Sequence, residues 1–373
     1  MDQHIHIICL NVPYPVNYGG VFDLFYKLPA LHKLGVKIHL HCFEYGRGEQ
    51  PELNKYCASV HYYKRSTGPG AFSFSLPYIV SSRKNEELLA RLAQDDHPIL
   101  MEGIHCTYLL HDTRFTNRKC FVRLHNVEYI YYNHLADHTN NLLKKAYYKW
   151  ESKLLTSYEK KTACKATFWS VIEPDAEIYR RLGCKRISFL PLFLPPWKVN
   201  SKEGKGTYCL YHGDLSVAEN EKAVEWLLTN ILQDIDIPLV IAGKNPSNSL
   251  YKKTEGRTDV CLVANPGNEE MQDMIAKAHM HLIPSFNNTG IKLKLINALF
   301  NGRHCVVNNS TVKGTGLEAA CLIANTAAEM KHMILEYYQK PFTEKDLQVR
   351  HQLLDHMFDN DANAQKLVKW IWQ

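Results

Sequence analysis

Along the chain, short apolar β-branched runs alternate with longer segments whose apolar residues recur every three or four positions. The runs predict strands and the longer segments predict helices. The predicted strands are, in chain order, IHIICL, KIHLHCF, PILME, KCFVRL, ATFWSV, TYCLY, PLVIA, DVCLV, HMHLIP, HCVV and CLIA. Strict alternation of strand and helix predicts parallel sheets covered by helices on both faces.

Residues 191–206 interrupt both periodicities with prolines and then a Lys/Gly/Ser run, as an interdomain linker does. We therefore predict an N-terminal Rossmann-like domain at 1–190 and a second at 207–345. Helices at 346–373 follow, which could pack back on the N-terminal domain. The predicted fold class is α/β, with two doubly wound Rossmann-like domains facing each other across a cleft. Ligands are expected beyond the carboxyl ends of the strands.

Composition narrows the class of protein. The 373 residues are 45% hydrophobic and 22% charged, which is typical of a soluble globular chain. Eleven cysteines are scattered singly without a C-x-x-C pair, which predicts free thiols and a cytoplasmic, reducing location. No apolar run reaches 18 residues. The net charge of +6 suits an anionic ligand or membrane surface but is too small to predict nucleic-acid binding.

The segment NTGIKLKLINALFNG, residues 288–302, predicts a helix that is apolar on nearly every side. Its polar residues Gly290, Lys294, Asn297 and Asn301 would fall on one narrow stripe. Two interpretations are open: the stripe faces solvent, or it faces a ligand.

The order of five motifs resembles glycosyltransferase family 4, a retaining family with two Rossmann-like domains. The motifs are NVPYPVNYGG, LMEGIH, VRLHNVEYIY, YHGDLSVAENEKAVEWLL and HLIPSFNNTGIKLKLINALFNGRHCVV. The resemblance covers nearly the whole chain. It implies a hexosyltransferase that moves a sugar from a nucleotide-sugar donor to a glycan or lipid-linked acceptor, in the synthesis of cell-surface polysaccharide or glycoconjugate. It implies neither a metal ion nor another cofactor.

In the first half, Gly19 and Gly20 follow the first strand and precede a helix, so their backbone could approach an anion. The resemblance implies that these two glycines contact the donor diphosphate or the acceptor. The alternative is that they only form a turn. The resemblance also places His125 near the donor sugar as a catalytic residue. The alternative is that His125 only packs against its neighbours. Glu102 and Glu128 are weaker acceptor-contact candidates. Their alternatives are a structural hydrogen bond for Glu102 and stabilisation of a helix N-terminus for Glu128.

In the second half, the resemblance implies that Gly213, Lys244 and Lys294 bind the donor, and it makes Lys294 catalytic as well. Two lysines could offset the charge that develops on a diphosphate leaving group. For Lys244, a solvated loop lysine is an equal alternative.

The chain departs from the family where two glutamates are usual, because Thr289 and Asn297 stand there. Thr289, Gly290 and Asn297 remain donor-binding candidates, and Asn297 could still pair with a ribose hydroxyl as a neutral amide. The departure keeps two rival interpretations open: a binding or scaffold protein that has lost catalysis, and a nucleotide-sugar epimerase.

Residues 140–165 carry seven lysines against two glutamates. An apolar stripe of Leu143, Tyr147, Trp150, Leu154 and Tyr158 accompanies them at helical spacing. Peripheral contact with an anionic membrane is one interpretation. The favoured one is a helix whose apolar stripe faces the core.

Overall fold

The computed structural model describes residues 2–17, 19–139 and 141–373. Contacts divide the chain into two units. Unit 1 is Met1–Pro196 with Phe358–Gln373, and unit 2 is Trp197–Met357. The boundary thus falls inside the segment 191–206 that we predicted as a linker. The terminal segment predicted at 346–373 is divided, since only its last helix belongs to unit 1.

Unit 1 is built on a parallel sheet with the strand order β3-β2-β1-β4-β5-β6-β7. Its strands are β1 His4–Cys9, β2 Lys37–Glu44, β3 Ser59–Lys64, β4 Ile99–Glu102, β5 Cys120–Leu124, β6 Thr167–Ser170 and β7 Ile187–Phe189. The pattern did not predict β3 or β7. Both lie at sheet edges, and β7 has only three residues, so neither shows a long apolar run.

The helices of unit 1 lie between these strands and at the chain end. They are α1 Phe22–Lys33, α2 Tyr78–Ser81, α3 Glu86–Leu92, α4 Glu128–Asp137, α5 Leu142–Thr162, α6 Glu173–Arg181 and α14 Asn360–Trp372. Helix α14 buries Ala364, Leu367 and Ile371 in the same core as Leu24 and Leu28 of α1. Its first residue, Asn360, exchanges hydrogen bonds with the backbone of Leu194 at 2.7 and 3.0 Å. The chain end is therefore part of unit 1.

Unit 2 is built on a second parallel sheet, with the strand order β10-β9-β8-β11-β12-β13. Its strands are β8 Cys209–Asp214, β9 Leu239–Lys244, β10 Val260–Ala264, β11 Met280–Ile283, β12 His304–Val307 and β13 Leu322–Ile323. Its helices are α7 Ala218–Asn230, α8 Asn248–Thr254, α9 Asn268–Lys277, α10 Leu293–Asn301, α11 Asn309–Val312, α12 Ala327–Tyr338 and α13 Glu344–Met357. The prediction of an α/β fold with two Rossmann-like domains is confirmed.

In each sheet the strand order reverses once. The reversal lies between β1 and β4 in unit 1 and between β8 and β11 in unit 2. In doubly wound sheets, ligands bind beyond the carboxyl ends of the strands at this point. The loops after β1 and β4, and those after β8 and β11, are therefore where a site is expected.

The prediction that the apolar stripe of residues 140–165 faces the core is wrong in part. Tyr158 is buried, but Leu143 is 83% exposed. The face that α5 buries instead includes two carboxylates, Glu151 and Glu159, whose backbone-amide partners lie on neighbouring segments. In the part of the chain that the structure describes, no helix is both long and apolar enough to cross a bilayer. All eleven cysteines are free thiols.

Candidate active site

In unit 1, His125 and Glu102 meet at the carboxyl edge of the sheet. Glu102 is the last residue of β4, and His125 follows β5, its neighbour in the sheet. His125 Nε2 lies 3.0 Å from Glu102 Oε2. Glu102 is fully buried, whereas His125 is partly exposed. The carboxylate therefore fixes the orientation of the imidazole and leaves Nδ1 as its second polar atom.

Behind this pair lies a buried cluster of two carboxylates and two cations. Lys27 donates to Glu102 Oε1 and, at 3.2 Å, to Asp23 Oδ2. Arg123 Nε and Nη2 donate to the two oxygens of Asp23 at 2.8 and 3.0 Å. The cluster is electrically balanced, so its burial leaves no isolated charge.

The remaining donors of Arg123 are also satisfied. Its Nη1 and Nη2 reach the carbonyl oxygens of Leu190 and Pro191 at 2.6 and 2.8 Å. Burial alone would raise the pKa of Asp23, but the Arg123 guanidinium and Lys27 hold it well below its usual range. The pKa of Glu102 is likewise lowered by Lys27 and by the hydrogen bond from His125, against the effect of burial. Both carboxylates are ionised at neutral pH.

For Glu102, the structure shows the structural hydrogen bond that was one of its two interpretations, because both oxygens are bonded within unit 1. Glu128 is the first residue of α4 and is buried. Burial raises the pKa of Glu128 to about 7. Its position matches the helix-terminus interpretation, and its contact with an acceptor stays a prediction.

Asp23, Glu102 and His125 bring one ligand atom each within 4.8 Å of one another, which is close enough for a metal ion. Lys27 already donates to both carboxylates, and Arg123 donates to Asp23. These two side chains supply the positive charge that a metal ion would bring.

Gly19 and Gly20 open a 3-10 turn, Gly19–Val21, that leads directly into α1. Asp23 lies in the first turn of that helix. The side chain of Asp23 does not cap this helix, because its carboxylate binds Arg123 and Lys27 instead. The contact of Gly19 and Gly20 with the donor or the acceptor stays a prediction.

In unit 2, Lys294 lies on the first turn of α10 and reaches across to β8 and α7. Its Nζ donates to Tyr211 Oη at 2.9 Å and to Asn220 Oδ1 at 2.8 Å. Both acceptors are neutral, and among the described residues no carboxylate forms an ion pair with Lys294. Burial lowers the pKa of this lysine to about 7. The ammonium group is thus held by neutral acceptors, and the nearby Glu219 carboxylate offsets the effect of burial on its pKa only in part.

Arg350 of α13 anchors the other end of α10. The side chain is buried, and its Nη1 donates to the carbonyl oxygens of Leu299 and Gly302 at 2.6 and 2.7 Å. These carbonyls belong to the helix end that lacks intrahelical partners. Arg350 therefore satisfies the C-terminus of α10 and fixes the helix that carries Lys294.

Gly213 is the last residue but one of β8 and lies beside Asn220. A Cβ on Gly213 would lie 3.3 Å from Asn220 Nδ2, and a Cβ on Gly243 would lie 1.9 Å from Gly213 O. Gly243 of β9 is thus required for the close approach of the two strands, which the sequence analysis missed. Lys244 follows it with an exposed side chain, and its carbonyl accepts from Leu215 N at 2.8 Å. The donor-binding roles of Gly213 and Lys244 stay predictions.

The predicted helix 288–302 begins five residues late, at Leu293. Gly290 has a φ of 63°, which is incompatible with a continuous right-handed helix, so it does not lie on the polar stripe. Thr289 is buried, and its backbone amide and hydroxyl both bond to Asn287 Oδ1 at 2.9 Å. Asn297 does lie on α10 with Lys294, and its Oδ1 accepts from Asn301 Nδ2 at 2.8 Å.

Several residues of these two sites escaped the sequence analysis. In unit 1 they are Asp23, Lys27 and Arg123. A buried arginine inside the apolar strand CFVRL was the available signal. In unit 2 they are Tyr211 and Asn220, which resembled ordinary strand and helix residues.

A family model described as Glycosyl transferases group 1 matches residues 206–340. This range lies within unit 2 and contains Tyr211, Asn220 and Lys294. An uncharacterized 44.6 kDa protein in the cps region of Klebsiella pneumoniae is 26% identical over 358 residues, which cover 89% of this chain and 90% of that protein.

Solved structures share the fold over the full length. Sucrose-phosphate synthase from Thermosynechococcus elongatus aligns with a TM-score of 0.72 at 15% identity, covering 99% of this chain and 98% of that one. WaaG, a glycosyltransferase involved in lipopolysaccharide biosynthesis, aligns with a TM-score of 0.68 at 11% identity, covering 98% and 99%. The fold is therefore of the GT-B type. The family model and the fold together support a glycosyltransferase, while membership of family 4 stays a prediction.

Proposed function

We propose that the protein is a retaining hexosyltransferase that moves a sugar from a nucleotide-sugar donor to a glycan or lipid-linked acceptor without a metal ion. We assign it to the synthesis of cell-surface polysaccharide or glycoconjugate on the cytoplasmic side. The similarity to a protein in a cps region supports the polysaccharide assignment.

The observation that carries the proposal is the buried ammonium group of Lys294, whose charge the nearby Glu219 carboxylate compensates only in part. Its two acceptors, Tyr211 Oη and Asn220 Oδ1, orient the group without neutralising it. A cation fixed in this way favours the state in which negative charge has built up on a diphosphate leaving group. His125, oriented by Glu102, is the residue that we assign to the donor sugar.

Calorimetry with UDP, GDP, ADP, dTDP and CDP tests the donor class. At least one nucleotide should bind, in EDTA as well as in Mg²⁺, and Lys294→Ala should weaken that binding at least tenfold. Lys277→Ala is the control, because Lys277 is an exposed lysine of the same unit that precedes β11. Silence with all five nucleotides would overturn the proposal and favour a scaffold protein.

Product analysis with the matching nucleotide sugar separates the rival activities. A transferase yields free nucleoside diphosphate and a new glycoside, or a free sugar when no acceptor is present. An epimerase returns a nucleotide sugar with an inverted sugar carbon. The anomeric configuration of the product, measured by NMR, tests retention.

We further propose peripheral contact with an anionic membrane through the start of α5 and the loop before α2. Phe74, Leu142 and Leu143 are each at least 80% exposed. The Phe72 ring stacks on Trp150 of α5 at a centroid distance of 5.0 Å. Exposed lysines, including Lys144 and Lys145, lie on the same helix. Apolar side chains beside a cationic face are suited to a headgroup layer.

Sedimentation with vesicles tests this contact. The protein should bind phosphatidylglycerol vesicles at low salt, bind less at high salt, and bind phosphatidylcholine poorly. The double variant Phe74→Ser with Leu143→Ser should lose binding. Leu335→Ser removes a 51% exposed leucine from unit 2 and should not change it. Equal binding of both lipids, or of neither, would refute the proposal.

A further inference from the structure

A row of histidines lies on one face of the unit 1 sheet, at the end of the strands opposite to His125. Residues His4 and His6 of β1 alternate with core residues, as do His39 and His41 of β2. Pairing of His6 with His39 brings these side chains onto the same face. None of them takes part in the chemistry assigned above.

Two of these histidines, His4 and His39, converge with His97 at the amino ends of the strands. His4 Nδ1 lies 3.0 Å from His39 Nε2. The His97 ring lies over both, at centroid distances of 4.7 Å from His4 and 5.9 Å from His39, with planes within 15°. One ring nitrogen from each histidine lies within 4.8 Å of the others, and all three side chains are partly exposed. Solvent ions can therefore reach the trio.

The surroundings orient these rings. His39 Nδ1 lies 2.9 Å from Ser59 Oγ, so a proton on Nδ1 leaves the Nε2 lone pair directed towards His4. The His97 backbone amide donates to Asp95 Oδ1 at 2.9 Å, which ties the segment carrying this ring to the Asp95 side chain. A ligating histidine usually donates its second ring N–H to a neighbouring group, as His39 Nδ1 does to Ser59 Oγ, and this hydrogen bond presents the first nitrogen to the metal.

We propose that His4, His39 and His97 bind one divalent transition-metal ion of borderline softness, such as Zn²⁺ or Ni²⁺. Imidazole nitrogens are the ligands such ions prefer. At metal–nitrogen distances of about 2.0–2.1 Å, tetrahedral ligands lie about 3.3–3.4 Å apart, so the His4–His39 pair needs to open by only about 0.3–0.4 Å.

Two adjustments complete the site. The proton on His4 moves from Nδ1 to Nε2 through solvent, so the neutral ring loses no net proton. His97 turns out of its stacked position, which its location in the irregular segment between α3 and β4 allows. Solvent fills the fourth position. The ion would join β1, β2 and the segment before β4, and so stabilise unit 1 without reaching His125.

The test uses untagged full-length protein, stripped with EDTA and then freed of it. Calorimetry should give one Zn²⁺ or Ni²⁺ per chain, and Zn²⁺ should raise the melting temperature. Cobalt should give the visible absorption of a four-coordinate ion. His97→Gln removes a ligand from an irregular segment and should weaken binding at least tenfold, as should His39→Gln.

The matched control is His61→Gln, which alters a histidine of the same sheet outside the trio. It should leave metal affinity unchanged. Absence of a stoichiometric ion in the unmodified protein would overturn the proposal. If His97→Gln bound the metal as tightly as the unmodified protein, the proposal would also be overturned, because the ion would then lie on other histidines. Nucleotide binding should be unaffected in all three variants.

Discussion

Lys294 should make nucleotide binding depend on pH in a range where the nucleotide itself does not titrate. Burial lowers the pKa of Lys294 to about 7, against an ordinary value of 10.5. A bound diphosphate would favour the charged form and return the pKa towards its ordinary value. Lys294 should therefore take up a proton when the nucleotide binds above pH 7.

The size of the effect follows from the fraction of protein that is already protonated. That fraction falls from about one half at pH 7 to about one tenth at pH 8 and about one hundredth at pH 9. If only the protonated protein binds tightly, the apparent Kd rises about fivefold from pH 7 to 8 and about fiftyfold from pH 7 to 9. Terminal phosphates ionise near pH 6, so the range from pH 7 to 9 reports on the lysine.

Calorimetry in buffers with different ionisation enthalpies measures the uptake directly, and about 0.9 proton per nucleotide is expected at pH 8. Lys294→Arg keeps its charge throughout this range, so whatever affinity it retains should be independent of pH. A Kd for the unmodified protein that stays within twofold from pH 7 to 9, with no buffer-dependent heat, would refute the reasoning. Melting curves at each pH verify that the fold persists.

Three further predictions concern the other candidate residues. Because burial raises the pKa of Glu128 from 4.5 to about 7, the folded state binds this proton more tightly than the unfolded state, and stability is lost as pH rises through this range. Glu128→Gln should thus stabilise the protein at pH 8 by up to about 3 kcal/mol, but hardly at pH 4.5, in urea unfolding; equal effects at both pH values would contradict the shift. His125→Ala should reduce transfer at least tenfold with little change in melting temperature, whereas a proportional loss of both would indicate a structural histidine. Asn297→Glu should tighten nucleotide binding by about 1–2 kcal/mol if the ribose hydroxyls reach it; affinity unchanged in both Asn297→Glu and Asn297→Ala would remove this residue from the ribose site.

Periodicity predicted the fold class because the strands inside each sheet are apolar runs, even where they have only four residues. It could not predict the partners of Asp23, which include Arg123 from a strand 100 residues away. Nor could it place the start of α10, since the positive φ of Gly290 depends on how the preceding loop bonds to Asn287. Local pattern fixes an element's type, whereas its ends and its charged contacts depend on tertiary neighbours.

For the histidine row too, the sequence pattern predicts the strands, whereas the positions of the side chains depend on the tertiary structure. The alternation in HIHIICL and KIHLHCF predicted strands, and it also put the histidines of each strand on a single face. Whether the two faces coincide depends on register, because a shift of one residue would move one set to the other side of the sheet. His97 joins the trio only through the position of the segment before β4. The sequence pattern alone therefore cannot predict a metal site of this kind, because the site depends on how the strands are aligned.

The two candidate centres differ in how fully their charges are compensated. Around His125, two carboxylates are balanced by Lys27 and Arg123, and nearly every polar contact is internal, so the group can be rigid and still neutral overall. Lys294 has only neutral acceptors, so it bears a desolvation cost that an incoming anion would reduce. A balanced cluster has little to gain from a charged ligand, whereas a buried cation that Glu219 balances only in part has much. This difference is why we assign diphosphate binding to unit 2 and the orientation of a reacting group to unit 1.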